Sequence, residues 1–154
     1  IILNIGRGLV GWIFLLLRLL SLGNISPILV SSVLLVRGNK FLGIDRADGL
    51  GISLPGGIVK WSESSVNAVK RETFEETHLK IKLTQLLGVF DSHEGGAGLN
   101  STHVVYLGKI VSGKIAASFE GKPRWYPINI FPKDNPYLGK IMERYRHWKQ
   151  GDNL

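Results

Sequence analysis

The chain of 154 residues carries 19 Lys and Arg against 12 Asp and Glu, which gives a formal net charge of +7 at pH 7. It contains no cysteine, so disulfides, zinc–thiolate sites and a cysteine nucleophile are excluded. Its length and its 44% hydrophobic content are typical of one folded domain. Because the basic residues are spread along the chain rather than interleaved with aromatics, we predict no nucleic-acid partner, although the charge favours a small polyanionic ligand.

The first 22 residues are strongly apolar, and Arg7 and Arg18 interrupt the apolar run. A membrane-spanning helix needs about 20 mostly apolar residues, so this segment barely qualifies as a span. On a helical wheel both arginines and Ser21 fall on one side, which favours a helix lying in a membrane interface. Packing against the domain or a partner subunit is one alternative, and a truncated signal or span is another.

This segment sets the predicted domain organisation. We expect a hydrophobic N-terminal helix over residues 1–24, with contact to a membrane surface through residues 1–22, and one further domain over residues 25–154. The chain begins with Ile1 rather than Met, so we expect it to lack its true start. The absence of cysteine fits a reducing compartment, and we therefore expect a cytoplasmic protein, either free or peripheral to a membrane.

From residue 28 onward, strand and helix patterns alternate. Apolar and β-branched runs predict five strands, at Ile28–Val36, Lys40–Asp45, Leu79–Asp91, Thr102–Val111 and Arg124–Tyr126. A Gly- and His-rich loop is expected at Ser92–Ser101. Helices are predicted at Glu63–Thr77, capped by Ser62 with Val66, Val69 and Thr73 on the inner face, and at Tyr137–Gln150. Strands on both sides of a central helix indicate an α/β layered domain.

Glu72, Glu75 and Glu76 crowd onto one turn of the first predicted helix, with Arg71 beside them. Residues at i, i+3 and i+4 share a helical face, where like charges cost a few tenths of a kcal/mol. A cation would offset this repulsion, and carboxylate oxygens suit a hard divalent ion such as Mg²⁺ or Mn²⁺. The Gly56-Gly57 pair ahead of the helix allows a phosphate or a metal to approach the backbone closely.

The spacing of these residues resembles the Nudix box, G-x5-E-x7-R-E-U-x-E-E-x-G-U, in which U is a bulky aliphatic. The matching residues are Gly57, Glu63 and the run Arg71-Glu72-Thr73-Phe74-Glu75-Glu76-Thr77-His78-Leu79. The lead-in Leu54-Pro55-Gly56-Gly57 and the later Trp125-Tyr126-Pro127-Ile128 also resemble family patterns. Two positions depart from the box: Thr73 replaces an aliphatic, and His78 replaces the glycine that ends the helix with a positive φ.

The resemblance implies a Nudix-type α/β/α sandwich with a mixed central sheet, and hydrolysis of a pyrophosphate bond that depends on Mg²⁺ or Mn²⁺. In this sequence it implies that Glu72, Glu75 and Glu76 are metal ligands, together with the backbone carbonyl of Gly56. Arg71 and Glu63 would orient them as part of the catalytic group.

Other site residues are expected in loops. Glu72 is one candidate general base, and Asp91, Glu94 and Glu120 are loop candidates. Glu120 is preferred among these three, also as a further metal ligand, although an exposed turn carboxylate is the alternative. Gly57, His93, His103 and Trp125 are candidate substrate-binding residues; ordinary polar loop positions are the favoured explanation of the two histidines, and core packing could explain Trp125.

The substrate stays open at this level. A nucleotide sugar, an ADP-ribose-like compound and a nucleoside triphosphate all fit a Nudix hydrolase. The proline that marks many ADP-ribose hydrolases would fall at Glu94 or Gly95, and neither is proline. The alternative is a catalytically silent Nudix fold that binds a ligand or acts as a membrane-associated scaffold. A homodimer is a further partner that the sequence allows.

Overall fold

The computed structural model describes Leu16 and residues 28–95, 99–130 and 136–151. Within these ranges the chain forms seven strands and two helices. In chain order they are β1 (Ile28–Arg37), β2 (Lys40–Arg46), β3 (Ile52–Ser53), β4 (Gly56–Ile58), α1 (Ser65–Thr77), β5 (Leu79–Gly95), β6 (Leu99–Gly113), β7 (Gly121–Pro127) and α2 (Pro136–Gln150).

Strand β1 is the centre of a mixed sheet. It pairs in parallel with β6, from Ile28 opposite Ser101 to Leu35 opposite Gly108. Its other edge pairs antiparallel with β4 near its start and with β2 at its end. Strand β5 then pairs antiparallel with β6, while β7 and β3 both pair with β2. This branching brings β4 and the turn that precedes β7 towards the same helix, α1.

The two helices cover opposite faces of the sheet. Successive β1 side chains point to opposite faces, so Val33 and Leu35 pack with Val69 of α1, whereas Leu34 packs with Ile141 and other residues of α2. All five side chains are at most 1% exposed. Each contributes about 1.5–3 kcal/mol by leaving water. The α/β/α sandwich with a mixed central sheet that the resemblance implied is confirmed.

Helix α1 begins later than the sequence predicts. Its N-cap is Ser64, whose hydroxyl accepts a hydrogen bond from the Asn67 N–H at 3.2 Å. Ser62 is not the cap, because the Lys60–Glu63 turn, closed by the Glu63 N–H on the Lys60 carbonyl, holds Ser62 outside the helix with φ at 62°.

The inner face of α1 also differs from the prediction. Val69 and Thr73 are buried as expected, but Val66 is 37% exposed and Ala68 is buried in its place. The helix ends at Thr77, and His78 adopts the left-handed conformation with φ at 60°, as the box alignment predicts.

The loop predicted at Ser92–Ser101 is largely strand. Strand β5 continues to Gly95 and β6 starts at Leu99, with Gly95 opposite Leu99. The Gly- and His-rich composition of this segment indicated a loop. A strand at the end of a hairpin packs against no core, so it does not need the apolar residues by which a strand is recognised in sequence. The predicted N-terminal helix over residues 1–24 lies almost wholly outside the described residues. In the described part of the chain, no helix is long and apolar enough to cross a membrane.

Candidate functional site

The site is organised around Arg71, which points from α1 to the turn before the helix. Its guanidinium donates hydrogen bonds to both Glu63 carboxylate oxygens, at 2.9 and 2.8 Å, and to the Ile58 carbonyl at 3.3 Å. Glu63 also accepts the Lys60 N–H. The bonds from Arg71, and to a smaller extent the bond from Lys60, lower the pKa of Glu63 to about 2. The bonds to Glu63 in turn raise the pKa of Arg71 above its ordinary value.

Arg71 also engages two of the helix glutamates. Its Nη1 lies 2.5 Å from Glu72 Oε1 and 3.5 Å from Glu75 Oε2. Glu72 packs closely against β4, where a Cβ built on Gly57 would lie 2.6 Å from the Glu72 carboxyl carbon. Gly57 therefore leaves room for this carboxylate, and its role in substrate binding stays a prediction.

Glu76 lies on the sheet side of α1 and is only 5% exposed. It accepts a hydrogen bond from the Gly56 N–H at 2.8 Å. Burial raises the pKa of the Glu76 carboxyl to about 8, and the neighbouring charges of Glu120 and Glu72 add to the effect. Gly56 has φ at 148°, and a Cβ there would lie 2.2 Å from the Ser31 carbonyl oxygen, so only glycine fits.

Glu120 reaches the same group from the turn Ser118–Gly121. The Ser118 N–H bonds to the Gly121 carbonyl at 3.0 Å, and the Ala47 N–H bonds to the Glu120 carbonyl at 2.9 Å. Burial raises the pKa of Glu120, and repulsion from Glu72 and Glu75 raises it further. The tertiary structure thus brings Glu120 to the α1 glutamates across more than 40 residues of chain.

Arg46, at the end of β2, is a site residue that the sequence analysis missed. Its guanidinium is held by Asp48 through two hydrogen bonds, at 3.0 and 2.5 Å. Asp48 raises the pKa of Arg46 through these bonds, and the charges of Glu76 and Glu120 contribute as well. No local spacing links β2 to α1. Only the β2–β7 pairing reveals that the Arg46 guanidinium borders the acidic group, which consists of Glu72, Glu75, Glu76 and Glu120.

His103 and Trp125 pack on opposite faces of the sheet. His103 belongs to the α2 face, where its ring centroid is 4.3 Å from that of Tyr137 and its Nε2 lies 2.9 Å from Ser101 Oγ. Trp125 packs against the core beneath α1, with the Arg37 guanidinium 4.6 Å from its ring centroid. The core interpretation of Trp125 therefore accounts for its contacts.

The remaining loop candidates are either elsewhere or outside the described residues. Asp91 accepts a hydrogen bond from the Thr102 hydroxyl at 2.9 Å in the β5–β6 hairpin. His93 and Glu94 belong to β5, but their side chains lie outside the described part of the structure. Of the predicted loop carboxylates whose side chains are described, Glu120 is the one that interacts electrostatically with the helix glutamates.

The carboxylates do not form a ready-made metal cage. Among the described residues, no three His, Asp or Glu side chains are already arranged to hold a metal ion. The reason lies in their present partners, because Arg71 engages Glu72 and Glu75 while Gly56 engages Glu76. The donor set nevertheless fits a hard divalent cation, since it is all oxygen and its members repel one another. Arg71 engages Glu72 through Oε1 and Glu75 through Oε2, which leaves the second oxygen of each carboxylate for a cation.

Comparisons with known proteins agree with this arrangement. The chain is 33% identical over 100 residues to an ADP-ribose pyrophosphatase from Methanocaldococcus jannaschii, a match that covers 64% of this chain and 59% of that protein. It is also 33% identical over 67 residues to a MutT-like protein from Streptomyces ambofaciens, covering 44% of each. The chain thus spans about half the length of the curated relatives that it matches.

Solved structures show the same fold. A UDP-X diphosphatase superposes with a TM-score of 0.72 at 22% identity, covering 83% of this chain and 65% of that one. A NUDIX hydrolase from Nitrosomonas europaea gives 0.70 at 21% identity, covering 80% and 91%. The family model described as the NUDIX domain matches residues 27–145, which include every element described above except the last turn of α2. The chain therefore belongs to the NUDIX domain family.

Proposed function

We propose that this chain is a Nudix pyrophosphohydrolase that uses a divalent cation, Mg²⁺ or Mn²⁺, to hydrolyse the diphosphate linkage of a nucleoside diphosphate joined to another group. The working unit is the domain over residues 25–154. The observation that carries the proposal is the convergence of Glu72, Glu76 and Glu120 beside the Gly56-Gly57 backbone, where their charges interact. A group of like charges, one of them buried, is stabilised by a cation.

The site residues have two roles: some would bind the cation, and Arg71 would orient them. Glu72, Glu75, Glu76 and Glu120, with the Gly56 carbonyl, would hold the cation. When bound there, the cation supplies charge neutralisation for the diphosphate and increases the acidity of water. Arg71 is the support: both Glu63 oxygens fix it, and it in turn orients Glu72 and Glu75.

The chain's own groups can carry the reaction. Water attacks one phosphorus of the diphosphate, the bridging P–O bond breaks, and the proton of the water passes to a carboxylate. The acceptor we propose is Glu120 when the helix glutamates alone hold the cation, because it comes from a separate turn and lies beside them. Arg46, clamped by Asp48, is placed to bind oxygens of the departing phosphate.

The names of the similar proteins support a sugar-linked substrate. Two of them are called an ADP-ribose pyrophosphatase and a UDP-X diphosphatase, both of which describe cleavage of a nucleoside diphosphate derivative. The net charge of +7 would draw such an anion towards the chain. We therefore place ADP-ribose and nucleotide sugars first among candidate substrates.

A substrate panel tests the proposal. Nucleotide sugars, ADP-ribose and nucleoside triphosphates are incubated with Mg²⁺ or Mn²⁺, and products are detected as phosphate after coupling to a phosphatase. We expect turnover by the wild type, and a loss of at least about 100-fold in kcat for Glu72→Gln and Glu76→Gln. Glu143→Gln, at an exposed position of α2, is the matched control and should keep full activity. Absence of turnover across the panel would instead favour the silent ligand-binding scaffold.

A further inference from the structure

One large aromatic side chain beside the acidic group has no packing role. Phe119 is 89% exposed, although a Phe side chain gains about 1.5–3 kcal/mol when it is fully buried. It occupies the tip of the Ser118–Gly121 turn, immediately before Glu120. Consecutive Cα atoms are 3.8 Å apart, so the Phe119 backbone lies directly beside that of Glu120.

The segment that carries Phe119 is held to the rest of the chain by two backbone hydrogen bonds, and a third bond lies within the turn. The Ala116 N–H bonds to the Thr77 carbonyl at the end of α1, at 3.2 Å. The Ala47 N–H bonds to the Glu120 carbonyl, and the Glu120 N–H bonds to the Ser118 hydroxyl at 3.2 Å. Phe119 is therefore displayed by an ordered backbone next to the acidic group rather than by a free loop.

The neighbouring turn adds a second apolar side chain and a cation. Leu50, three positions beyond Ala47, is 56% exposed, and its N–H is held by Asp48 at 3.1 Å. The same Asp48 clamps Arg46. The border of the site formed by these two turns thus offers an apolar edge, Leu50 and Phe119, beside a fixed guanidinium. That combination suits a ligand with a flat apolar part joined to an anionic part.

We propose that Phe119 is a specificity-determining residue that stacks on the base of the nucleoside, while the diphosphate lies between Arg46 and the glutamates. The inference rests on the proposed function for the position of the diphosphate. Stacking on an aromatic side chain tolerates different bases because every base has a π-face. The residue therefore selects for a nucleoside diphosphate over a diphosphate without a base, and discriminates weakly between bases.

Calorimetric titration in Mg²⁺ tests this with two probes, ADP and the base-free methylenediphosphonate. We expect Phe119→Ala to raise the Kd of ADP about tenfold and to leave that of methylenediphosphonate within about twofold. Phe119→Trp should keep the wild-type ratio of the two constants. Leu86→Ala, at a 53% exposed apolar position of β5, is the matched control and should change neither constant.

The outcomes separate the inference from the proposed function. An equal change for both probes, no change for ADP, or no binding of ADP by the wild type would each overturn the role of Phe119. Selective weakening of ADP by Phe119→Ala would support it even if the substrate panel shows no turnover, in which case hydrolysis alone is wrong. Turnover by the wild type with a Phe119→Ala variant whose KM is unchanged would leave hydrolysis standing and remove the stacking role.

Discussion

Glu72, Glu75 and Glu76 leave the same turn of α1 but reach different surroundings. Glu75 is half exposed and lies 3.5 Å from Arg71, Glu72 is bound closely by Arg71, and Glu76 is buried against the Gly56 N–H. Among the described residues, no cationic side chain forms an ion pair with the buried Glu76 carboxylate. Burying this charge therefore lowers the stability of the folded protein. A metal-free chain should show this loss of stability.

Glu76→Gln should stabilise the metal-free protein at neutral pH. The folded carboxyl has a pKa of about 8 against an ordinary 4.5, so between these values the folded state binds more protons and stability falls as pH rises. Glutamine keeps an acceptor for the Gly56 N–H and carries no charge. We expect the Tm of the variant to exceed that of the wild type in a chelator, with a difference that grows from pH 5 to pH 8.

Thermal unfolding across that pH range measures the effect. Glu143→Gln on the exposed side of α2 provides the comparison and should show no such trend. A Tm difference between Glu76→Gln and wild type that does not depend on pH would contradict the assignment. The prediction also implies that a divalent cation should raise the Tm of the wild type more than that of Glu76→Gln.

At the scale of elements, α1 is bounded by two strained residues that are not glycine. Ser62 and His78 both have positive φ, at 62° and 60°. Ser62 lies in the turn before the Ser64 cap and His78 directly follows Thr77, so the strain is stored outside α1, on either side of the segment that carries its carboxylates. Short strand β4 completes the arrangement, because its two glycines meet the helix from the sheet.

Gly56→Ala and Gly57→Ala should differ sharply. At Gly56 the new Cβ would meet the Ser31 carbonyl at 2.2 Å with φ at 148°, so the backbone must shift and we expect a loss of several kcal/mol in the free energy of unfolding. At Gly57 the Cβ would meet the end of the Glu72 side chain, which can rotate away. We therefore expect near-normal stability but at least about tenfold lower kcat.

Urea unfolding and steady-state kinetics of both variants provide the measurement. Lys70→Ala, on the exposed side of α1, serves as a control for general effects on the helix. If Gly57→Ala unfolds as easily as Gly56→Ala, the obstacle at Gly57 is the backbone and not the Glu72 carboxylate. If it keeps full activity, the position of Glu72 does not matter for turnover.

At the scale of the whole molecule, the sheet separates a chemical face under α1 from a structural face under α2. His103 joins β6 to α2 through a tilted ring contact with Tyr137, and burial lowers the pKa of its imidazole to about 4, with Asp91 opposing the shift. Phe90 of β5 packs against the same tyrosine. The neutral imidazole is therefore part of the contact between the two layers.

The burial of neutral His103 should make stability begin to fall at a pH above the range in which ordinary carboxylates titrate. Between pH 6.5 and about 4 the unfolded chain binds a proton at His103 that the folded chain excludes, so stability falls as pH falls through that window. Glu76 contributes the opposite slope over part of this window, so the measurable effect is the difference from the wild type: His103→Gln should gain stability relative to the wild type as pH falls from 6.5 to about 4, as measured by urea unfolding at fixed pH values. His147→Gln, on the exposed side of α2, should keep the wild-type slope. A parallel profile for His103→Gln would show that another group is responsible.

Much of the fold could be predicted because short-range residue patterns determine most of its strands and helices. The apolar runs at β1 and β2, the spacing of the glutamates on α1 and the helical pattern of α2 all follow from residue order within about 15 positions. The errors were local as well. Ser62 and Ser64 are both good caps, and only the Lys60–Glu63 turn decides between them.

The sequence by itself determined the family, the three helix glutamates with Arg71 and Glu63, and the left-handed end of α1 at His78, because each depends on fixed spacing along one segment. The tertiary structure alone decided which other groups join them. It brings Glu120 and Arg46 to the glutamates and assigns His103 to the opposite face. These are contacts between segments distant in the chain, and strand pairing rather than local spacing determines them.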